Sequence, residues 1–230
     1  MKRGVLYGVS VGPGDPELLT LKAVRAIERA DVVAVPDIGH KRRTAYSICE
    51  EYLGGKELLD CSTPMTRDRS LAQVAYERVA GDICALLDEG KSVAYLCLGD
   101  IGVYSTYAYV HDIVVARGYE ALIIPGVTSF SASAAKLGTA LCLGSERLVV
   151  APASSASIDD VLDMRATKVF MKSGKQLGEL QRKLAERGQL DRASMVANCG
   201  LPDERVYERF ADVDADGDAD YFSVVIVKSS

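Results

Sequence analysis

Apolar residues fall along this chain in short solid runs, separated by longer stretches in which they recur every third or fourth position. Val5–Val9, Asp31–Pro36, Val93–Leu98 and Ala121–Pro125 are the solid runs of the first half. Runs of that length, closed by Gly, Pro or Asp, predict strands buried on both faces. Thr20–Ala30, with Leu21, Val24 and Ile27 in phase, carries the helical period, as do Thr44–Tyr52 and Tyr104–Ala116. So does Leu71–Glu89, through Leu71, Val74, Ala75, Val79, Ile83, Leu86 and Leu87. Strands alternating with helices predict a mostly parallel sheet covered on both sides.

From Gly126 the rhythm changes. A helix is predicted over Thr128–Leu137 and a strand over Arg147–Ala151, followed by a polar Ser/Asp stretch. Then come a strand at Lys168–Lys172, a helix at Leu177–Arg187, and strands at Ala193–Asn198 and Tyr221–Val227. The richer strand content predicts a mixed sheet. The expected fold class is therefore α/β, with two α/β domains, residues 1–125 and 126–230, and a ligand cleft between them. No internal repeat, coiled-coil heptad or low-complexity tract interrupts this pattern.

Composition narrows the classes. Of 230 residues, 48% are hydrophobic and 26% charged, so a sizeable core is expected rather than disorder. A net charge of −5 argues against a nucleic-acid binder held by a general basic field. The six cysteines are scattered with no C-x-x-C pair, which predicts reduced thiols and a cytoplasmic setting. No signal-peptide pattern opens the sequence, and no apolar run approaches the roughly 20 residues of a membrane span.

Chemistry is concentrated where the predicted strands end. The run Gly8-Val9-Ser10-Val11-Gly12-Pro13-Gly14-Asp15-Pro16-Glu17-Leu18-Leu19-Thr20 joins the first strand to the first helix. Ligands of open parallel sheets bind outside the carboxyl ends of strands, where this loop belongs. Its glycine spacing is not G-x-G-x-x-G, and no Gly-Lys-Ser/Thr ending follows, so neither the dinucleotide fingerprint nor the P-loop applies. Taken alone, it is equally a tight turn with Thr20 as helix cap. Leu98-Gly99-Asp100-Ile101-Gly102-Val103-Tyr104-Ser105-Thr106 and Pro125-Gly126-Val127-Thr128-Ser129 each follow another buried strand. Singly each is turn chemistry; several at one sheet edge make a site.

Together these runs resemble the tetrapyrrole (corrin/porphyrin) methyltransferases, over nearly the whole chain. Within that family, Leu98-Gly99-Asp100-Ile101 with Tyr104-Ser105-Thr106-Tyr107 is similar to the C-20 methyltransferases acting on precorrin-2 or cobalt-factor II; sister enzymes usually carry Gly-Asp-Pro there. The resemblance implies a homodimer that binds S-adenosylmethionine between two α/β domains and releases S-adenosylhomocysteine. It carries the cofactor contacts to Pro13, Leu98, Gly99, Asp100, Val103, Tyr104, Thr128 and Ser129, and to Met171, Asn198 and Ser223. Alternatives are methylation of another tetrapyrrole position and a non-catalytic nucleotide-binding module.

Methyl transfer from a sulfonium to a ring carbon neutralises charge as it proceeds, so alignment and exclusion of water contribute most, and effective molarities supply roughly 7–11 kcal/mol. Afterwards C-20 loses a proton, for which Asp100, Tyr104 and Asp15 are candidate acceptors by location. A carboxylate-rich tetrapyrrole calls for local positive charge, and Lys41, Arg42 and Arg43 are the expected anchors. For Asp100 a purely structural role, as a hydrogen-bonded turn carboxylate, stands beside the functional one. Asp212–Asp220 imitates a calcium loop but puts Ser223 where a bidentate Glu belongs, and reads as an acidic surface loop. His40 and His111 have no partner at metal spacing, so no metal site is expected.

Overall fold

The computed structural model describes residues 2–36, 44–61, 63–64, 66, 68–153, 158–215, 217 and 220–229. It divides into two compact units, residues 1–128 and 129–230, against an expected boundary after Pro125. In the first unit five strands form one sheet: β1 (Leu6–Ser10), β2 (Val32–Val35), β3 (Glu57–Asp60), β4 (Val93–Cys97) and β5 (Ala121–Ile124). The order is β3-β2-β4-β1-β5 and every pairing is parallel. Four helices cover it: α1 (Leu21–Arg29), α2 (Thr44–Cys49), α3 (Arg69–Asp88) and α4 (Tyr107–Ala116).

Alternation along the strands decides which helix goes where. Val9, Val33, Val35, Ala94 and Leu96 point to one face and pack with Ala23, Ile27 and Ile48 of α1 and α2. Leu6, Val32, Ala34, Val93 and Tyr95 point to the other, against Val79, Ile83 and Leu87 of α3 and Val110 of α4. The adjacent strands β1 and β4 therefore send their following helices to opposite faces. This leaves a gap at their carboxyl ends, which is the topological switch point of an open parallel sheet.

Two expected helix faces are corrected. Leu21 is exposed, and α1 buries Ala23, Ala26 and Ile27 instead. Leu71 and Val74 are exposed while Val79, Ile83 and Leu87 are buried. At 3.6 residues per turn Val74 lies about 180° around α3 from Ile83, so the two cannot share a face.

In the second unit the strands are β6 (Leu148–Pro152), β7 (Thr167–Met171), β8 (Ala193–Ala197), β9 (Arg205–Tyr207) and β10 (Ser223–Val227). They run in the order β6-β7-β10-β8-β9; β6 and β7 are parallel, and the other pairs are antiparallel. Helix α5 (Ser129–Lys136) packs with Val169, Val224 and Ile226 on one face. Helices α6 (Ile158–Asp163) and α7 (Leu177–Glu186) cover Phe170, Met195 and Val225 on the other. Two α/β units, one all-parallel and one mixed, are thus the architecture.

Candidate functional site

The loops that leave β1, β4 and β5 meet at one edge of the first sheet. Val11 donates its N–H to the Cys97 carbonyl (2.9 Å), continuing the β1–β4 ladder past both strands. Gly12 and Gly99 then exchange hydrogen bonds in an isolated antiparallel bridge, Gly12 N–H to Gly99 O (3.2 Å) and Gly99 N–H to Gly12 O (2.7 Å). Both have positive φ, +77° and +74°, a conformation that any side chain would strain. A Cβ added at Gly99 would meet no protein atom within 4 Å, so that residue faces open space at the sheet edge.

Asp100 fastens two loops at once. One carboxylate oxygen accepts the N–H of Gly102 (2.9 Å), the other the N–H of Gly126 in the loop after β5 (2.8 Å). The structural role considered for it is real, and it places the Pro125–Thr128 loop beside residues 98–105. Asp15 caps the short 3-10 turn Pro16–Leu18 by accepting the Glu17 N–H (2.9 Å), and Thr20 caps α1 at the Ala23 N–H (3.1 Å). Pro13 is buried, whereas Leu98, Val103 and Thr128 are half-buried along the same loops.

Tyr104 corrects the expected helix start. It has φ 51° and lies outside α4, which begins only at Tyr107. There the Ser105 hydroxyl accepts the Tyr107 N–H (3.1 Å) and contacts the Cys97 thiol (3.0 Å). The Tyr104 side chain is 44% exposed at the rim of the loop. Burial pushes the Tyr107 and Tyr95 hydroxyls well above the usual phenol range, so neither is suited to proton transfer.

At the second sheet, β6, β7 and β8 end on the edge where β10 begins, because Met171 pairs with Val224 and Ala197 with Ser223. Met171, Asn198 and Ser223 are brought together here. Lys172 (φ 55°) and Asn198 (φ 52°), directly after β7 and β8, both adopt the left-handed conformation. The buried Asn198 amide donates to Asp203 (3.1 Å) and Asp220 (2.7 Å). The Ser223 hydroxyl donates to the Asp220 carbonyl (2.8 Å), and the Ser173 hydroxyl to the Ser223 carbonyl (3.1 Å). Asn198 and Ser223 thus use their side chains to shape the edge. The roles of Lys172, Asp203 and Asp220 were not legible, since left-handed conformers and carboxylates gathered by chain return leave no local pattern.

Lys41, Arg42 and Arg43 lie outside the described residues, as do His40 and parts of the Asp212–Asp220 loop. Among the described residues no group of three His, Cys, Asp or Glu side chains is placed to hold a metal ion.

Comparison with known proteins agrees with this geometry. A cobalt-precorrin-2 C(20)-methyltransferase of Salmonella typhimurium is 32% identical over 229 residues, spanning 97% of this chain and 96% of the relative. A precorrin-2 C(20)-methyltransferase of a Sinorhizobium species is 33% identical over 236 residues, spanning 97% and 95%. The solved structure of a cobalt precorrin-4 methyltransferase shares the fold with a TM-score of 0.78 at 21% identity, covering 97% of this chain and 94% of that one. Residues 5–213 match the family Tetrapyrrole (Corrin/Porphyrin) Methylases. With its glycine-paired loops at the switch point of a parallel sheet and a second, mixed sheet behind them in sequence, the chain belongs to the tetrapyrrole methylases.

Proposed function

We propose that this protein transfers a methyl group from S-adenosylmethionine to C-20 of precorrin-2 or cobalt-factor II in cobalamin biosynthesis, acting as a homodimer. The observation that carries it is the loop 98–104, where Gly99 faces open space, Asp100 fixes the neighbouring loop and Ile101 follows the carboxylate. Relatives bearing the C(20) name align over nearly their whole length, which supports the same acceptor.

The residues fit the donor. The open space at Gly99 admits a ligand against bare backbone, and the half-buried Leu98, Val103 and Thr128 offer apolar and hydroxyl contacts beside it. Met171, Asn198 and Ser223 complete the donor contacts in this proposal. In the transfer the S–CH3 bond breaks with its electron pair left on sulfur, while a C–C bond forms at C-20. Alignment is then the main contribution of the protein, and the riveted loops supply it. Asp100 already holds a backbone N–H on each carboxylate oxygen, whereas Asp15 holds one on a single oxygen. Asp15, through its second carboxylate oxygen, and Tyr104, exposed at the rim, remain the proposed acceptors of the C-20 proton. Lys41, Arg42 and Arg43 remain the proposed anchors for its carboxylates.

An anaerobic assay with methyl-labelled S-adenosylmethionine tests this, offering precorrin-2 and cobalt-factor II separately. Label at C-20 of one of them is expected and identifies the substrate. Transfer to another ring position, or to neither while donor still binds, would sink the C-20 assignment.

A further inference from the structure

Ser10, the last residue of β1, is 1% exposed and has no part in the site as drawn from the sequence. Its hydroxyl oxygen accepts the N–H of Ile101 at 2.9 Å, across 91 residues of chain. Ile101 is itself 3% exposed and packed in the core beneath α3 and α4. Its N–H is therefore out of reach of water, and a buried donor without an acceptor is costly. The same serine also meets the loop after β5: a Cβ built on Gly126 would fall 2.6 Å from the Ser10 Cβ, so that loop passes directly over it.

These contacts close a triangle. Ser10 joins β1 to the loop after β4 through its hydroxyl and to the loop after β5 through its Cβ. Asp100 joins those two loops to each other. Of the two, only Ser10 stands on a strand with neighbours on both sides. Residues 98–105 are thus held at Gly99 by Gly12, at Ile101 by Ser10 and at Ser105 by the start of α4. Of the proposed donor contacts, Gly99, Asp100, Val103 and Tyr104 lie on or between those three points, and Leu98 immediately precedes the first.

We propose that Ser10 is a positioning residue for methyl-donor binding: through the Ile101 N–H it sets the height of the donor loop above the sheet. The inference rests on the proposed donor site and not on which tetrapyrrole is methylated. A buried hydroxyl at this position serves a function beyond folding, because the backbone it holds is the backbone the donor touches. Removing it lets the Ile101 peptide turn toward another acceptor, and the loop moves with it.

The test is S-adenosylhomocysteine binding by titration calorimetry for the wild-type protein, Ser10→Ala, and Leu184→Ala as a destabilised control. Leu184 is fully buried in the second unit, on the helical face away from α5. Ser10→Ala is expected to weaken binding about tenfold, matching the loss of one buried hydrogen bond. Leu184→Ala should lower the melting temperature at least as far and leave affinity unchanged. In turnover, Ser10→Ala should raise the KM for S-adenosylmethionine and leave kcat within about twofold. Affinity of Ser10→Ala within twofold of wild type, or an equal loss in Leu184→Ala, would overturn the proposal. A wild-type chain that binds no donor would overturn it together with the donor site. Donor binding without methylation at C-20 would remove the acceptor assignment and leave Ser10 standing.

Discussion

Tyr104, Lys172 and Asn198 are the non-glycine residues with left-handed backbone among those described, and each follows a strand on the edge where its unit gathers candidate contacts. Such conformations cost of order 1–3 kcal/mol and persist where surrounding structure enforces them. Asn tolerates the region best, and two carboxylates hold its amide; Tyr and Lys have no such intrinsic tolerance. A pair of glycines makes a cleaner test. Gly99 and Gly118 both have positive φ, +74° and +81°, and neither would crowd an added methyl. Gly118 lies in the turn from α4 to β5, at the opposite end of the strands. Alanine at either should cost about 1 kcal/mol of stability. Only Gly99→Ala should weaken S-adenosylhomocysteine binding, by more than tenfold, since its methyl enters the space assigned to the donor. Equal binding by the two variants would move the donor away from Gly99.

Among elements, β1 and α4 depend on each other at Gly8. An added Cβ there would lie 2.4 Å from the Tyr107 ring, which is buried, tilted against Tyr95 (centroids 5.0 Å apart) and hydrogen-bonded to His111 (3.2 Å). Gly8→Ala should therefore overpack the core by about 1–3 kcal/mol and lower the melting temperature by several degrees, read by calorimetry. The strands most legible in the sequence were those whose burial is total. The Val- and Ile-rich β2, β4 and β10 stand out because both faces are covered. The edge strands β3 and β9 were invisible for the converse reason: Glu57-Leu58-Leu59-Asp60 and Arg205-Val206-Tyr207 are largely exposed or half-buried and carry charge, so they read as loops. The edge strands β5 and β6 showed through their apolar runs, although Leu122, Ile123 and Leu148 are exposed. Helix α6 was lost in a run of aspartates whose Ile158, Val161 and Leu162 are too few to announce a period. The site loops were visible through Gly, Pro and Asp, whereas Ser10 left no signal, because a serine ending a strand looks like any other.

At the scale of the molecule, the cysteines report on integrity. All six are free thiols. Burial pushes Cys49 and Cys61 up to about 12 from 9.0, so they stay neutral in the folded protein where the unfolded chain would ionise. Between about pH 9 and 12 the unfolded state then binds fewer protons than the native state, and stability falls as pH rises through that window. Below pH 9 these groups contribute no pH dependence. Iodoacetamide at pH 8 should spare both residues in the native protein and label them after denaturation, as mass spectrometry of peptides would show. Rapid native labelling of Cys61 would mean that the edge beside β3 opens far more readily than its burial allows.

The order of the strands has a consequence for how the protein is made. β4 lies between β1 and β2, and β10 lies between β7 and β8. In both sheets a central position is filled by a strand that is synthesised after the strands on either side of it. A ribosome that has produced residues 6–35 has made two strands that cannot zip together, because the slot between them awaits residues 93–97. The second sheet waits in the same way for residues 223–227. Each unit must therefore hold apolar strand edges open during translation and close in one late, cooperative step. A stalled or clipped nascent chain would expose those edges and invite aggregation, which makes elongation speed a determinant of yield for this fold.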